Sequence, residues 1–300
     1  MRQRFLRFAV LVTLVWCHVA VAELVVTDDA ARQVHLRAPA QRIVSLAPHA
    51  TELLFAVGAG GQVVGVSELS NYPEEARHIQ AVNSGVRLDI ERLLALKPDL
   101  VVGWQSGNSR ADLERLAAFH VPLFIAEPRR LDDLPGTLER LGRVTGHDTE
   151  GLAAARAFRE GMDKLRRDFR DRRPLWVFLQ ISVQPLMTLN HAHLASDVLA
   201  LCGGRNLFAG APRVALDVSS ESVLVENPQV VLYSDALGDV DSMRRWWKER
   251  GDLRAAREGR IYAFPGELVL RQTPRVLQGA RQVCQSLDAA RAALGSEGQK

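Results

Sequence analysis

Short apolar runs alternate along this chain with stretches in which apolar positions recur every three or four residues. The first kind reads as buried strands and the second as amphipathic helices. A strand pair at 24–26 and 34–36, with Asp28 and Asp29 near its turn, opens the series. Further strands are expected at 42–46, 63–66, 100–104 and 122–126. Helices fall between them: one capped by Thr51 and ending at Gly58, then 88–96, 111–118 and 131–144. Short strands separated by helices define an α/β lobe with a mainly parallel sheet.

One long helical pattern follows, over 147–171. Leu152, Ala155, Phe158, Met162, Leu165 and Phe169 form a single apolar stripe in an otherwise charged segment. About 25 residues at 1.5 Å each reach roughly 37 Å, the width of a lobe, so this helix suits a rigid strut. Pro174 ends it, and a second strand–helix series starts at Leu175.

The second series echoes the first. Glu91 opens a short helix, with Pro98 seven residues on and a buried strand behind it; Glu221, Pro228 and the strand from Val230 repeat the arrangement. Thr51-Glu52-Leu53-Leu54 likewise pairs with Ser196-Asp197-Val198-Leu199, each read as a hydroxyl cap and a first-turn acid, with Gly58 and Gly203 seven residues after the cap. Two echoes in the same order imply two similar lobes. The chain therefore divides into an N-terminal lobe (23–146), the interlobe helix (147–172) and a C-terminal lobe (173–300), with a ligand cleft between the lobes. A packed helix joining them allows only small opening motions.

Residues 1–22 stand apart. Arg2, Arg4 and Arg7 precede an apolar run too short to span a bilayer comfortably, and Ala20-Val21-Ala22 closes it, the pattern of a secretory signal peptide. A lipoprotein alternative would start the mature chain at Cys17, but Trp16 is a poor residue to precede it. The leader carries three arginines and no acid, so the apparent excess of 38 basic over 35 acidic residues vanishes on its removal. A neutral mature chain gives no reason to expect nucleic acid or an anionic surface as partner. Two cysteines remain, Cys202 and Cys284; in an exported chain they read first as a disulfide and otherwise as two buried thiols.

Enzymatic signatures are missing from the sequence: it contains no G-x-S-x-G elbow, P-loop, dinucleotide glycine fingerprint or H-E-x-x-H. His49, His191 and His193 could ligate a cobalt or haem iron axially, yet no cysteine or carboxylate completes a tetrahedral zinc set, so no metal site is assigned. Arg129-Arg130 and Trp246-Trp247 have no role readable from sequence.

Several stretches carry a family resemblance: residues 42–53 (RIVSLAPHATEL), 64–67, Asn71-Tyr72-Pro73, 94–101 (LALKPDLV), 177–180, 201–204, and Pro274-Arg275 ahead of Cys284. Over roughly residues 40–288 the chain resembles the cobalamin-binding periplasmic proteins of ABC importers, within the wider iron-siderophore, haem and cobalamin binding-protein class. The resemblance implies a periplasmic, monomeric, non-enzymatic protein with no intrinsic cofactor. Its ligand would be cobalamin or a related corrinoid, its partner an importer permease dimer, and the mature chain would not insert in the membrane. Glu91 and Glu221 match the residues that dock on permease arginines, and Cys202 and Cys284 match the family's disulfide. Matching ligand-facing positions are Pro48, His49, Leu69, Tyr72, Gly85, Trp104, Met187, His191, Ala215, Glu267, Leu268 and Arg271. Trp104 would lie against a flat macrocycle, and Glu267 and Arg271 would bind amide side chains. Leu69, Gly85, Met187, Ala215 and Leu268 stand where the best-known relatives carry aromatics, which puts cobalamin itself in question and keeps other corrinoids in play. Haem or a ferric siderophore is the alternative within the class, although only Arg271 and Arg213 are at hand for an anionic chelate.

Overall fold

The structure, a computed structural model, describes residues 23–84 and 87–297; the expected leader lies outside them. The first hairpin forms as expected, from β1 (Leu24–Thr27) and β2 (Gln33–Leu36), with Val26 opposite Val34. Asp28 in its turn accepts from the N–H groups of Ala30, Arg32 and Ile125, which ties the hairpin to the lobe that follows.

That lobe runs β3 (Ile43–Ser45), α1 (Pro48–Ala56), β4 (Val63–Gly65), a two-residue ribbon of β5 (Asn83–Ser84) and β6 (Arg87–Leu88), α2 (Ile90–Ala95), β7 (Leu100–Gly103), α3 (Arg110–Ala118), β8 (Leu123–Ile125) and α4 (Leu134–Thr145). Its sheet is parallel throughout, in the order β4-β3-β7-β8. After α5 (Asp148–Asp168) the second lobe runs β9 (Leu175–Gln180), β10 (Ser182–Val183), β11 (Leu186–Leu189), α6 (Leu194–Leu201), β12 (Gly204–Asn206), β13 (Ala215–Asp217), α7 (Ser220–Glu226) and β14 (Val230–Ser234). It continues through α8 (Val240–Lys248), α9 (Arg254–Arg257), β15 (Ile261–Phe264), α10 (Gly266–Val269) and α11 (Val276–Glu297). Its parallel sheet has the order β12-β9-β14-β15. Both sheets thus place their second strand first, then the first, third and fourth. The repeat in the sequence is a repeat of topology.

Two details of the helix starts differ from expectation. Helix α1 begins at Pro48 behind Ala47, because proline at the first helical position gives up no needed N–H. Thr51 is therefore inside the helix, its hydroxyl within hydrogen-bond reach of Ser45 and Ser70. In the second lobe His193, not Ser196, caps α6, and the Ser196 hydroxyl donates to the Asn190 carbonyl at 2.7 Å. The helix ends are as expected: Gly58 and Gly203 take φ of 86° and 72°.

Helix α5 is 21 residues long and buries Ala155, Phe158, Met162 and Leu165. Leu152, expected in the stripe, is exposed; Gly151 faces inward in its place. There α5 crosses α4 so closely that a Cβ on Gly142 would lie 2.9 Å from the Gly151 Cα, so no side chain fits the crossing. The buried face of α5 joins one hydrophobic cluster that runs from Leu134, Leu138 and Leu141 in α4 to Val276, Ala280 and Val283 in α11. Each sheet covers its other face with a separate cluster, around Val101 and Leu93 in one lobe and Val231 and Trp247 in the other. Trp247 is a core residue whose indole N–H donates to Gln180, while Trp246 lies under Arg250 at its rim. Cys202 and Cys284 form a buried disulfide between the end of α6 and α11.

Candidate ligand-binding cleft

The strand order reverses direction between β3 and β7 in one sheet and between β9 and β14 in the other. Ligands of open parallel sheets bind beyond the carboxyl ends of strands at such switch points. A cavity of about 460 Å³ lies there, between the lobes. Trp104 and Ser106, after β7, and Glu127 and Arg129, after β8, line one wall. The opposite wall is mainly aliphatic, with Ile181, Leu189, Leu194, Val214, Ala215 and Leu270, plus His193 and Gln272.

Trp104 is held from several sides. Its backbone N–H donates to the Asn108 side chain at 2.7 Å, and Asn108 in turn donates to the Leu46 carbonyl at 3.0 Å. Gly107 lies against the indole so closely that a Cβ would come 1.9 Å from a ring carbon, so only glycine closes this loop over the ring. His49 meets the indole edge-on, with ring centroids 5.2 Å apart at 83°. The indole N–H is buried without a hydrogen-bond partner. Such a donor costs roughly 1–3 kcal/mol.

Burial favours the neutral form both of His49, packed behind Trp104 outside the cavity lining, and of His193, which lines the cavity. Burial pulls the His49 pKa down, against the Ala126 carbonyl and the charges of Glu127 and Glu52; its Nε2–H donates to that carbonyl at 2.8 Å. His193 is pushed down to about 4, by burial first and by His49 second. Its Nδ1 accepts from the Ala195 N–H at 3.1 Å, so the neutral ring carries its proton on Nε2. Axial metal ligation through Nε2 would require that cap to be given up. His191 is exposed, with Nδ1 2.6 Å from the Ala209 carbonyl, and stands outside the cavity lining.

Glu267, Arg271 and Tyr72 belong to a polar junction between the lobes. Arg271 donates to Glu52 (2.8 Å) and Asn71 (2.6 Å) of the first lobe and to Glu267 (3.0 Å) of its own; Asn71 also donates to Glu267 at 2.8 Å. Arg275 grips both Glu52 oxygens, at 2.9 and 2.6 Å, and its guanidinium stacks 3.7 Å over the Tyr72 ring. A second junction repeats the design with lobes exchanged. Asp197 accepts from the Leu131 N–H at 3.0 Å and from Arg130 at 2.7 Å. Glu52 and Asp197 are the two acids paired by the sequence repeat. Each reaches across to the other lobe.

The remaining expected positions scatter. Pro48, Met187 and Leu268 are half-buried, Ala215 lines the cleft, Leu69 is 72% exposed, and Gly85 lies outside the described residues. Glu91 and Glu221 stand exposed in the first turns of α2 and α7. The carboxyl of Glu221 is held below its ordinary range by its own backbone N–H and then by the Ser219 hydroxyl, so it keeps its charge. Sequence reasoning missed Glu127, Ile181, Leu194 and Gln272. The position of Glu127 just after a parallel strand was the available signal.

Two topologically matched α/β lobes, a continuous helix between them and a cavity at their facing switch points define a two-lobed binding protein. The chain belongs to the periplasmic binding protein family, whose model matches residues 43–268. It is 36% identical over 247 residues to the vitamin B12-binding protein of Vibrio cholerae serotype O1, covering 82% of this chain and 88% of that one. The crystal structure of a periplasmic vitamin B12 binding protein of Vibrio cholerae superposes with a TM-score of 0.78 at 36% identity, covering 84% of this chain and 98% of that one. A periplasmic heme-binding protein from Roseiflexus sp. RS-1, in apo form, superposes at 0.73 with 29% identity, over 83% and 98%.

Proposed function

We propose that this chain is the substrate-binding component of an ABC importer that captures a corrinoid, cobalamin or a relative, between its lobes. The observation that carries the reading is the cleft itself. A preset indole, Trp104, faces a wall of aliphatic side chains at the point where both sheets reverse their order. One flat aromatic and one apolar wall suit a flat macrocycle. The vitamin B12-binding relatives support the choice of ligand. The likeness to a heme-binding protein keeps haem as the second reading. In this account the leader ends at residue 22, the lobes comprise 23–146 and 173–300, and the mature monomer performs no chemistry on its ligand. Among the described residues no helix is long and apolar enough to cross a membrane.

Calorimetric titration of residues 23–300 with cyanocobalamin, with haemin and a ferric siderophore alongside, tests the ligand. Tight one-to-one binding of cyanocobalamin is expected, weakened about tenfold or more in Trp104→Ala, in line with the loss of a buried aromatic contact. Tight binding of a control ligand alone would move the chain to another branch of the class.

Docking is proposed through Glu91 and Glu221, charged rims that supply register more than affinity. Replacing both with alanine should abolish stimulation of the importer's ATPase while leaving the ligand titration unchanged. Full stimulation by the double variant would remove these residues from the interface.

A further inference from the structure

Glu127 has no counterpart among the roles assigned so far. It stands two residues past the end of β8, its backbone N–H donates to Asp29 at 2.7 Å, and one carboxylate oxygen accepts from the Ser106 N–H at 3.1 Å. The side chain is therefore fixed in the cleft wall, and the residue is 9% exposed. Its second oxygen has only a long contact, 3.5 Å, to the Arg129 guanidinium, which is itself more than half exposed. Four other charged groups near the cleft are committed elsewhere, Glu52 and Arg271 to one interlobe junction and Arg130 and Asp197 to the other, and Arg213, next to the cavity-lining Val214, is exposed. Facing Glu127 across the cavity are neutral His193, Gln272 and aliphatic side chains.

We propose that Glu127, with Arg129 beside it, selects the chemical class of the ligand: it accepts from a primary carboxamide on the ligand's rim and disfavours ligands that bring carboxylates. The inference rests on the functional reading above and sharpens it. A carboxamide offers an N–H donor and a carbonyl acceptor side by side, complementary to an acceptor oxygen of Glu127 and a donor of Arg129. A carboxylate offers acceptors only, and places a like charge beside a buried one that a single exposed arginine offsets. Corrinoids carry primary carboxamides around the ring and a cationic cobalt centre, whereas haem carries two propionates. The cleft therefore discriminates between the two ligand types through the field of one side chain.

The test is calorimetric titration of residues 23–300, wild type and Glu127→Gln, with three probes. These are cyanocobalamin, its monocarboxylic acids (one rim amide hydrolysed) and haemin. Glutamine keeps an acceptor for the Ser106 N–H and removes the charge, so a merely structural role would leave the ratios between probes unmoved. The wild type should prefer cyanocobalamin over the mono-acids by about tenfold or more, and Glu127→Gln should shrink that ratio to about twofold and tighten haemin, the scale expected for one charge in a partly buried site. Equal wild-type affinity for amide and acid overturns the proposal without any variant, so it stands or falls even if Glu127→Gln does not fold. An unchanged ratio in the variant also overturns it while leaving corrinoid binding intact. A wild type that takes haemin and no corrinoid removes the functional reading and this assignment together.

Discussion

Burial favours the neutral form of two histidines, His193 in the cleft lining and His49 behind Trp104. The consequence for stability has a definite sign. His193 titrates near 4 in the fold against an ordinary value of 6.5, and His49 is lowered as well. Between those values the unfolded chain binds more protons than the native one, so stability is fullest above pH 6.5 and is lost as pH falls toward 4. Between pH 7 and pH 5 a single such histidine removes about 1–2 kcal/mol. Urea unfolding at the two pH values should show this loss for the wild type and a clearly smaller one for His193→Gln; the same slope in both would contradict the assignment. At this scale the sequence showed Trp104, because a tryptophan directly after a buried strand stands at the strand's carboxyl end. Glu127 stands one residue further from β8, and its neighbours in sequence, Pro128 and two arginines, look like an ordinary polar loop. Its burial comes from Asp29 and Ser106, which only the fold brings to it.

Helices α1 and α6 show how a correct pairing can carry an incomplete meaning. The repeat matched Glu52 with Asp197, and both were read as acids that favour the dipole of their own helix. The structure directs both across the lobe interface, where arginines meet them, a relation that no local pattern encodes. Burial raises the Asp197 pKa, and the Leu131 N–H and Arg130 work against that rise. Glu52 is more deeply held, by two arginines at once. Removing one member of a buried pair leaves the other uncompensated and costs about 3–5 kcal/mol. Glu52→Gln and Arg275→Met should each destabilise the chain by a sizeable part of that amount. Their double variant should recover about 1–3 kcal/mol relative to additivity, the coupling expected of residues in one network. Additive losses in the cycle would show that Glu52 and Arg275 do not act together.

For the whole molecule, the alternation of strands and helices, the two-lobe division and the long connecting helix were all legible, because each depends on periodicity and on a repeat within one chain. The exposed Leu152 and inward Gly151 were not, since the close crossing of α4 and α5 is a property of two helices and not of either pattern. Part of the cleft's aliphatic wall was equally hidden: Ile181 and Leu194 join it only when the two lobes are set face to face. The single cluster running through α5, together with the two acid–arginine junctions, joins the lobes into one frame around the cavity. The account therefore places a ligand at one location in that frame. Hydrogen exchange of residues 23–300, with and without saturating cyanocobalamin, tests this most directly. The account predicts new protection at the loops around 104–108, 127–130, 189–194 and 214–215, and none along the outer helices α3 and α8. Protection confined to other surfaces, or none at saturation, would contradict a corrinoid site between the lobes.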